Sequence, residues 1–253
     1  RFILALQKFI KERNSDSVIY LYPAGRVIFE WIYLIYFKFI KSNRLFCDIN
    51  ELRVTTFYNY ASPEKFFPRL YNYIKFPVKY LKFKSSEFQA LFYDGVIVIS
   101  TNLEKYFTKY TKRMIRIPIL CDLPENVSAT APIHYNNDIF RICFAGTLSN
   151  KKEGLDPLLK TIGILNQDRD VELHLYGYFP EFEESLLRKT AESYNINDKV
   201  FYHGFLEPLE VNHEFPKYHL LILPRPLNKQ TKYGFSTKLA EYIISGVPTL
   251  VTN

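Results

Sequence analysis

The stretch that decides the fold is GFSTKLAEYIISGVPTLVT, residues 234–252. Ser236 and Thr237 are good helix N-caps, and the apolar side chains that follow recur at helical spacing, so a helix is predicted to start near Ser236. Gly246 can end this helix because glycine tolerates a left-handed conformation. Pro248 then precedes residues 249–252, a run that is typical of a parallel strand. The apolar face of the helix consists of Leu239, Ala240, Ile243 and Ile244.

The start of this helix has the properties of an anion-binding site. The first-turn N–H groups of a helix have no partner within the helix, and the helix dipole is positive at that end. The position therefore suits a pyrophosphate, and Lys238 adds a full positive charge. Glu241 lies about one turn further on, where its carboxylate can accept hydrogen bonds from a ribose.

Length and composition indicate a globular chain. With 253 residues and 47% hydrophobic content, the chain can bury the core of one large or two ordinary domains. Its three cysteines, Cys47, Cys121 and Cys143, are scattered, which excludes a disulfide framework and a zinc site and favours a reducing cytoplasm. The longest apolar run, residues 27–37, is shorter than the roughly 20 residues that span a bilayer. The chain begins at Arg1 and stops just after a strand, so we expect both ends to be truncated.

Positive charge is concentrated in the first half. Up to Pro132 there are 20 Lys and Arg against 11 Asp and Glu, whereas the remainder has 13 against 15. Residues 65–84 interleave six cations with aromatic side chains, a pattern that suits peripheral contact with an anionic membrane. A packed helix pair with a solvated basic face is the alternative. No nucleic-acid-binding motif is present, and we do not expect nucleic acid as a partner.

Strand-like and helical patterns alternate along the chain, which predicts parallel sheets covered by helices. Residues 122–138 have the composition of a linker. We therefore predict two doubly wound domains, residues 1–133 and 134–253. The predicted strands are residues 17–22, 44–48, 95–100, 115–120, 139–144, 171–176, 200–203, 219–223 and 249–252; the predicted helices are 26–41, 63–84 with breaks at Pro68 and Pro77, 102–112, 155–166, 181–194 and the segment that starts near Ser236.

Residues 234–252 resemble the donor-site signature of retaining GT-B glycosyltransferases, in particular glycosyltransferase family 4, in the form P-x-K-x-x-E-Y-x-x-x-G-x-P. The resemblance implies an α/β GT-B fold with two Rossmann-like domains facing a cleft. In that family the second glutamate of an E-x7-E pattern binds the ribose of a nucleotide sugar, and it falls on Glu241. The first glutamate falls on Tyr233, so the acid that usually contacts the sugar is absent.

Other stretches of the second half resemble further parts of the donor site. Residues 144–155, FAGTLSNKKEGL, are similar to the family's G-R-L-x-x-x-K-G loop, with Thr147 in place of an arginine. Here Gly146 lets the backbone approach a diphosphate, and Lys151 and Lys152 lie in the loop beside it. A solvated loop without a ligand is the alternative for this stretch.

Residues 200–206, VFYHGFL, are similar to V-x-F-x-G-x-[VL], and the family's base-binding backbone falls on Gly204, Phe205 and Leu206. Gly177 matches another family glycine. A strand that ends in a glycine turn is the alternative. Arg225 follows a strand and either binds the diphosphate or caps local carbonyls. We expect the loop at residues 227–233 to be mobile and to close over the donor.

The first half offers residues 47–52, CDINEL, directly after a predicted strand. They are similar to a D-x-H-E segment of related enzymes, with Asn50 in place of the histidine. Asp48 and Glu51 are the acids that could orient an acceptor, and a capping role is the alternative. All five histidines lie in the linker or the second half, so we predict no histidine base on the acceptor side.

The resemblance implies transfer of a sugar from a nucleotide diphosphate sugar to an acceptor hydroxyl, with retention of configuration and without metal or other cofactor. Charge on the leaving group would be met by the helix start near Ser236 with Thr237, by Lys238, by the Lys151 and Lys152 pair and by Arg225. Leu239, in the same first turn, belongs to the donor-binding residues that the resemblance implies. The implied setting is surface polysaccharide or glycolipid synthesis, with a glycan or lipid-linked acceptor, in the cytoplasm or at the inner membrane face. A GT-B nucleotide-sugar epimerase and a non-catalytic nucleotide-binding fragment are the alternatives.

Overall fold

The computed structural model describes residues 17–22, 26–55, 66–119, 139–180 and 183–252, without the side chains of residues 66–76, Lys151 and Lys152. The chain forms two units. One comprises Arg1–Ile119 together with Lys232–Phe235, and the other Leu120–Thr231 together with Ser236–Asn253. The predicted linker and the predicted boundary at 133/134 lie outside the described residues, so that boundary stays a prediction.

The first unit contains a four-stranded parallel sheet in the order β1-β2-β3-β4. Helices alternate with its strands, as the sequence pattern predicts. Its buried core includes Leu34, Leu45, Val98 and Leu103. The elements are β1 Val18–Leu21, α1 Val27–Leu34 continuing as a π-helix over Ile35–Ile40, β2 Arg44–Ile49, α2 Phe66–Phe88 followed by a 3₁₀ turn Gln89–Leu91, β3 Gly95–Val98, α3 Thr101–Phe107 and β4 Met114–Arg116.

One prediction for this unit is wrong. Residues 63–84 were expected to form helical pieces broken at Pro68 and Pro77, but α2 is continuous from Phe66 to Phe88. Pro68 falls in the first turn, where the missing N–H would have no partner in any case. Pro77 lies inside the helix and is exposed, so its ring does not disturb the core. No helix among the described residues is long and apolar enough to cross a membrane.

The second unit contains a five-stranded parallel sheet in the order β7-β6-β5-β8-β9. All five predicted strands are present. Its elements are β5 Phe140–Ala145, α4 Asn150–Glu153, α5 Leu155–Leu165, β6 Val171–Tyr176, α6 Glu183–Ser193, a 3₁₀ turn Asn197–Lys199, β7 Val200–Gly204, α7 Pro208–Glu214, a 3₁₀ turn Phe215–Lys217, β8 Leu220–Leu223, α8 Lys229–Tyr233, α9 Thr237–Ile244 and β9 Thr249–Val251. The last two residues of α8 are assigned to the first unit.

Three short helices of this unit were not predicted, namely α4, α7 and α8. The sequence 227–233 was expected to be a mobile loop, but α8 occupies residues 229–233. Helix α7 starts with a reciprocal capping box between Glu207 and Glu210 and with Pro208 at its first position. Helices this short lack the two turns over which a periodic apolar pattern can be recognised, so the pattern did not predict them.

Candidate functional site

The topology of the second sheet identifies one edge as the place for a ligand. Strand β5 lies in the middle, with β6 and β7 on one side and β8 and β9 on the other. The strand order therefore reverses between β5 and β8, and open parallel sheets bind ligands at the carboxyl ends of their strands at such a point. The chain leaves β5 at Gly146 and leaves β8 at Pro224, so the segments after these two residues form the candidate site.

Two predicted glycines are required at this edge because their backbones touch. The Gly146 N–H donates to the Tyr176 carbonyl (2.8 Å), and the Gly177 N–H donates to the Gly204 carbonyl (2.7 Å). Gly177 has a φ of 139°, and a Cβ there would lie 1.7 Å from the Gly146 carbonyl oxygen. A Cβ on Gly146 would lie 2.0 Å from the Cε atom of Lys238. The Gly146 backbone therefore leaves no room for a side chain at Gly177, whereas a side chain at Gly146 would displace the end of Lys238 from its place.

Helix α9 starts where the sequence predicts. Ser236 is its N-cap residue in the extended conformation, and Gly246 has the left-handed φ of 72° expected after the helix. The Ser236 side chain does not cap the helix, however. Its hydroxyl is buried and has no hydrogen-bond partner among the described residues. The helix start therefore combines the positive end of the helix dipole with a hydroxyl that has no partner among the described residues, and an oxyanion can accept hydrogen bonds at such a place.

A buried carboxylate that the sequence analysis missed lies beside this helix start. Glu153, on α4, is fully buried and accepts hydrogen bonds from Lys238 Nζ (2.7 Å) and from Arg225 Nε (3.1 Å). Burial raises the pKa of Glu153, but the bonds from Arg225 and Lys238 outweigh it and bring the pKa below its ordinary value. Two of the predicted phosphate-binding cations, Lys238 and Arg225, thus meet at the switch point. Arg225 does so by pairing with Glu153, a role that differs from the predicted alternative of capping local carbonyls.

Tyr242 is a second residue that sequence reasoning missed. Its side chain is fully buried, and its hydroxyl accepts a hydrogen bond from the Ala145 amide (2.8 Å). It fixes α9 to the end of β5, next to Gly146. The tyrosine of the E-Y pair in the quoted signature was the available signal for this contact.

Glu241, the predicted ribose ligand, is partly buried on α9. Burial raises its pKa, and the nearby Lys238 charge opposes that shift. Within the described part of the chain, no group donates a hydrogen bond to its carboxylate or pairs with it. Its acceptor oxygens are therefore free for a ligand hydroxyl.

The other predicted donor residues lie on the same sheet edge or on α9. Gly204 ends β7 with a φ of 76°, Phe205 is 59% exposed after it, and Leu206 packs against the core. Lys151 and Lys152 belong to α4 rather than to a loop, and their side chains are not described. Three further positions complete the set: Thr147 donates to the Tyr178 hydroxyl (3.3 Å), Thr237 is exposed, and Leu239 packs against the core.

The predicted acceptor-side acids lie at the end of β2 in the first unit. The side-chain amide of Asn50 lies 3.1 Å from the Tyr22 hydroxyl. When the amide oxygen accepts a hydrogen bond from that hydroxyl, the amide nitrogen donates one to Asp48 (2.8 Å). Burial and the neighbouring Asp48 carboxylate raise the pKa of Tyr20 to about 12. Glu51 is exposed. Asp48 therefore belongs to a polar cluster with two tyrosines, whereas Glu51 makes no described contact with it.

Comparisons with known proteins agree with this geometry. Residues 139–253 match the family model for Glycosyl transferases group 1. No curated protein sequence matches the chain. Solved structures of similar fold include HepE from Anabaena in complex with UDP, with a TM-score of 0.69 and 15% identity over 97% of this chain and 62% of HepE. The lipopolysaccharide outer core galactosyltransferase WaaB has a TM-score of 0.64 and 13% identity over 98% of this chain and 59% of WaaB.

A mutant of TarM from S. aureus, in complex with fondaparinux, alpha-GlcNAc-glycerol and UDP, has a TM-score of 0.62. It is 14% identical over 98% of this chain and 44% of TarM, so the chain spans between 44% and 62% of the lengths of these three structures. At such identities the likeness concerns the fold, and it confirms the predicted α/β fold class of GT-B glycosyltransferases. Residues 139–253 are therefore a group 1 glycosyltransferase domain.

Proposed function

We propose that the protein is a retaining, family-4-type glycosyltransferase that moves a sugar from a nucleotide diphosphate sugar to an acceptor hydroxyl. The observation that carries the proposal is the meeting of Lys238, Arg225 and the start of α9 at the switch point of a group 1 glycosyltransferase domain. Cations and helix-terminal amides suit a diphosphate and do not suit a neutral ligand.

The donor would lie along the carboxyl edge of the second sheet. Its diphosphate would contact the α9 amides, the Ser236 hydroxyl and Lys238, and its ribose would reach Glu241 one turn further on. The backbone at Gly204–Leu206 would contact the base. UDP is present in the HepE and TarM structures, which supports a nucleoside diphosphate as the ligand class here.

The reaction would proceed on one face of the sugar. The bond between the anomeric carbon and the diphosphate oxygen breaks, and a bond to the acceptor oxygen forms on the same face, with the acceptor proton passing to the departing diphosphate. The negative charge that grows on the diphosphate is stabilised by Lys238 and the α9 amides, which are already in place. This proposal needs no metal ion.

The first test is a calorimetric titration of the complete protein with UDP and GDP, without added metal. We expect one of them to bind, and we expect Glu241→Ala to weaken that binding at least tenfold, or ~1.4 kcal/mol, through loss of the ribose contact. Glu184→Ala, on the exposed face of α6, is the matched control and should bind normally. Failure of the folded complete protein to bind either nucleotide would contradict the proposal.

The configuration of the product is a separate test. Proton NMR of the glycoside formed from an α-linked nucleotide sugar should show an α anomer, and a β anomer would exclude retention. A nucleotide-sugar epimerase would instead release a free epimerised sugar without any acceptor. The same spectra therefore separate the two enzyme classes.

We also propose that the protein acts in the cytoplasm at the inner membrane face, on a glycan or lipid-linked acceptor in surface polysaccharide or glycolipid synthesis. On α2, Val78 and Leu81 are 70% and 65% exposed, and Lys79 and Lys82 are exposed beside them. Apolar side chains next to cations suit the interface of an anionic bilayer. Lys84 differs, because it pairs with the buried Glu87.

Vesicle flotation tests this membrane contact. We expect the complete protein to float with vesicles of anionic phosphatidylglycerol, less so with neutral phosphatidylcholine. Replacing Val78 and Leu81 with serine should reduce flotation several-fold, since apolar burial is lost. Replacing Leu186 and Leu209, which are exposed on the second unit, is the matched control. Equal flotation of all variants would place the contact elsewhere.

A further inference from the structure

The carboxylate of Glu153 is occupied on both of its oxygens. Oε1 accepts from Lys238 Nζ (2.7 Å) and Arg225 Nη2 (3.3 Å), and Oε2 accepts from Arg225 Nε (3.1 Å). The Glu153 side chain is 0% exposed, whereas those of Lys238 and Arg225 are 16% and 20% exposed. Each cation therefore has one side against Glu153 and keeps another side accessible from solvent.

The segment that carries Glu153 is fixed at its beginning by side chains of other elements. The Glu183 carboxylate accepts hydrogen bonds from the Ser149 hydroxyl (3.0 Å) and from the backbone N–H of Asn150 (2.6 Å). The Asn150 side-chain oxygen in turn accepts from the Asp156 amide (3.0 Å). The backbone that carries Glu153 therefore cannot shift without breaking these contacts, and its carboxylate cannot turn away without losing the bonds to Lys238 and Arg225.

The three side chains carry a net charge of +1. Without the carboxylate, two positive groups that now share one acceptor would face each other with little solvent between them, and like charges at such separations repel strongly in a partly buried site. The lysine side chain is long and flexible, so it would turn away toward water. The cation closest to Gly146 would then be lost from its place.

We propose that Glu153 is a positioning residue of the donor site: it holds Lys238 and Arg225 at the switch point as a preorganised pair for the diphosphate. This inference rests on the proposed function. Preorganised charges need no rearrangement when the ligand arrives, which is the condition for strong electrostatic stabilisation. A carboxylate could instead stand where a phosphate binds and compete with it, but one that is fully buried on a fixed segment is not in a position to be displaced.

The two roles predict opposite results for Glu153→Gln, which keeps the size of the side chain and removes its charge. For the positioning role, we expect the affinity of the complete protein for UDP to fall at least tenfold, while the affinity for uridine changes less than twofold. GDP and guanosine are titrated in parallel. Glu184→Gln is the matched control, because Glu184 pairs with Arg188 on an exposed helix face of the same unit.

A double-mutant cycle tests whether Glu153 acts through Lys238. Lys238→Met should cost more UDP affinity in the wild-type protein than in the Glu153→Gln background, where the lysine is already displaced. The double variant removes one charge of each sign, so it can replace Glu153→Gln in the test if that single variant gives no cooperative thermal melt. We expect the double variant to bind UDP no more weakly than Lys238→Met alone.

Each other outcome is decisive. UDP binding by Glu153→Gln that is unchanged or tighter would overturn the positioning role and leave the proposed function intact. Equal losses for UDP and uridine, or a double variant tenfold weaker than Lys238→Met, would show a general structural defect and overturn it too. If the wild-type protein binds no nucleoside diphosphate, the proposed function fails and this inference fails with it, a result visible before any variant is made.

Discussion

Tyr242 and Ala145 exchange two hydrogen bonds: the Ala145 amide donates to the tyrosine hydroxyl (2.8 Å), and that hydroxyl donates to the Ala145 carbonyl (3.3 Å). In the ladder between β5 and β8, the β5 residues that pair with β8 are Ile142 and Cys143, so Ala145 lies beyond the end of this ladder. The tyrosine hydroxyl thus takes the place of a strand partner for the last residue of β5. A side chain of α9 thereby holds the strand end from which the candidate site begins.

Tyr242→Phe should destabilise the second unit by about 1–3 kcal/mol, because the buried Ala145 amide is left without an acceptor. Urea unfolding followed by circular dichroism measures this free energy. Tyr194→Phe, on a side chain that is 38% exposed, is the matched control and should change the free energy of unfolding by less than about 0.5 kcal/mol. Equal stability of the two variants would show that the hydroxyl of Tyr242 is dispensable.

Gly177→Ala should be far more harmful than Gly204→Ala. An added Cβ at Gly177 would meet the Gly146 carbonyl at 1.7 Å, whereas one at Gly204 would meet no atom within 4 Å. Gly204→Ala carries the cost of its left-handed φ alone, roughly 1–2 kcal/mol. Gly177→Ala must in addition move a backbone segment, so we expect a loss above ~3 kcal/mol or no soluble protein. Comparable melting temperatures would refute the close contact.

The second unit should lose stability as the pH falls below about 6.5, the ordinary pKa of histidine. His174 and His203 stack and face each other with ring nitrogens 2.9 Å apart, and burial lowers the pKa of both. At pH values below about 6.5 the two histidines therefore bind protons in the unfolded chain more readily than in the folded one. The free energy of unfolding is largest above the pKa of the unfolded histidines and declines as the pH falls below it.

The titratable and charged groups that face this pair are Glu172, Arg141, Glu214, Lys217, Tyr176 and Tyr218. Urea unfolding at pH 7.5, 6.5 and 5.5 measures the effect. His174→Gln should flatten the decline, and His213→Gln, on an exposed position of α7, should leave it unchanged. The same slope in all three proteins would assign the acid sensitivity to other groups.

Two buried cysteines should report on the two units separately. Cys47 is 4% exposed in the first core and Cys143 is 0% exposed in the second. Burial raises the pKa of Cys47 to about 12 and that of Cys143 well above its ordinary value, so neither is a thiolate at pH 8. With iodoacetamide and peptide mass spectrometry, we expect both to stay unlabelled until urea unfolds the unit that contains them. Rapid labelling in buffer would contradict their burial.

Local sequence signals predicted much of the architecture. The helix that starts after Ser236, its end at Gly246 and the strand at residues 249–252 depend on neighbouring residues only, and the structure has all three. The order of strands and helices follows from alternating apolar periods in the same way. The continuity of α2 could not be predicted, because the effect of a proline depends on whether its position faces the core.

Local sequence signals could not predict the arrangement of side chains around Glu153. In the sequence, Lys151, Lys152 and Glu153 form a charged run, which is usually solvated. The burial of Glu153 depends on Arg225 and Lys238, which are 72 and 85 positions away along the chain. Such a contact follows from the order of the strands, which places the ends of β5 and β8 side by side.

That distance along the chain has a consequence for biosynthesis. A contact that closes a loop of 85 residues forms late, since the entropy of the intervening chain must be overcome first. A ribosome-bound chain would have to expose Lys238 and Tyr242 before the cation pair could assemble. The proposed nucleotide binding would then require that the second unit has been synthesised through α9 and has folded, and the ligand would stabilise only that finished state.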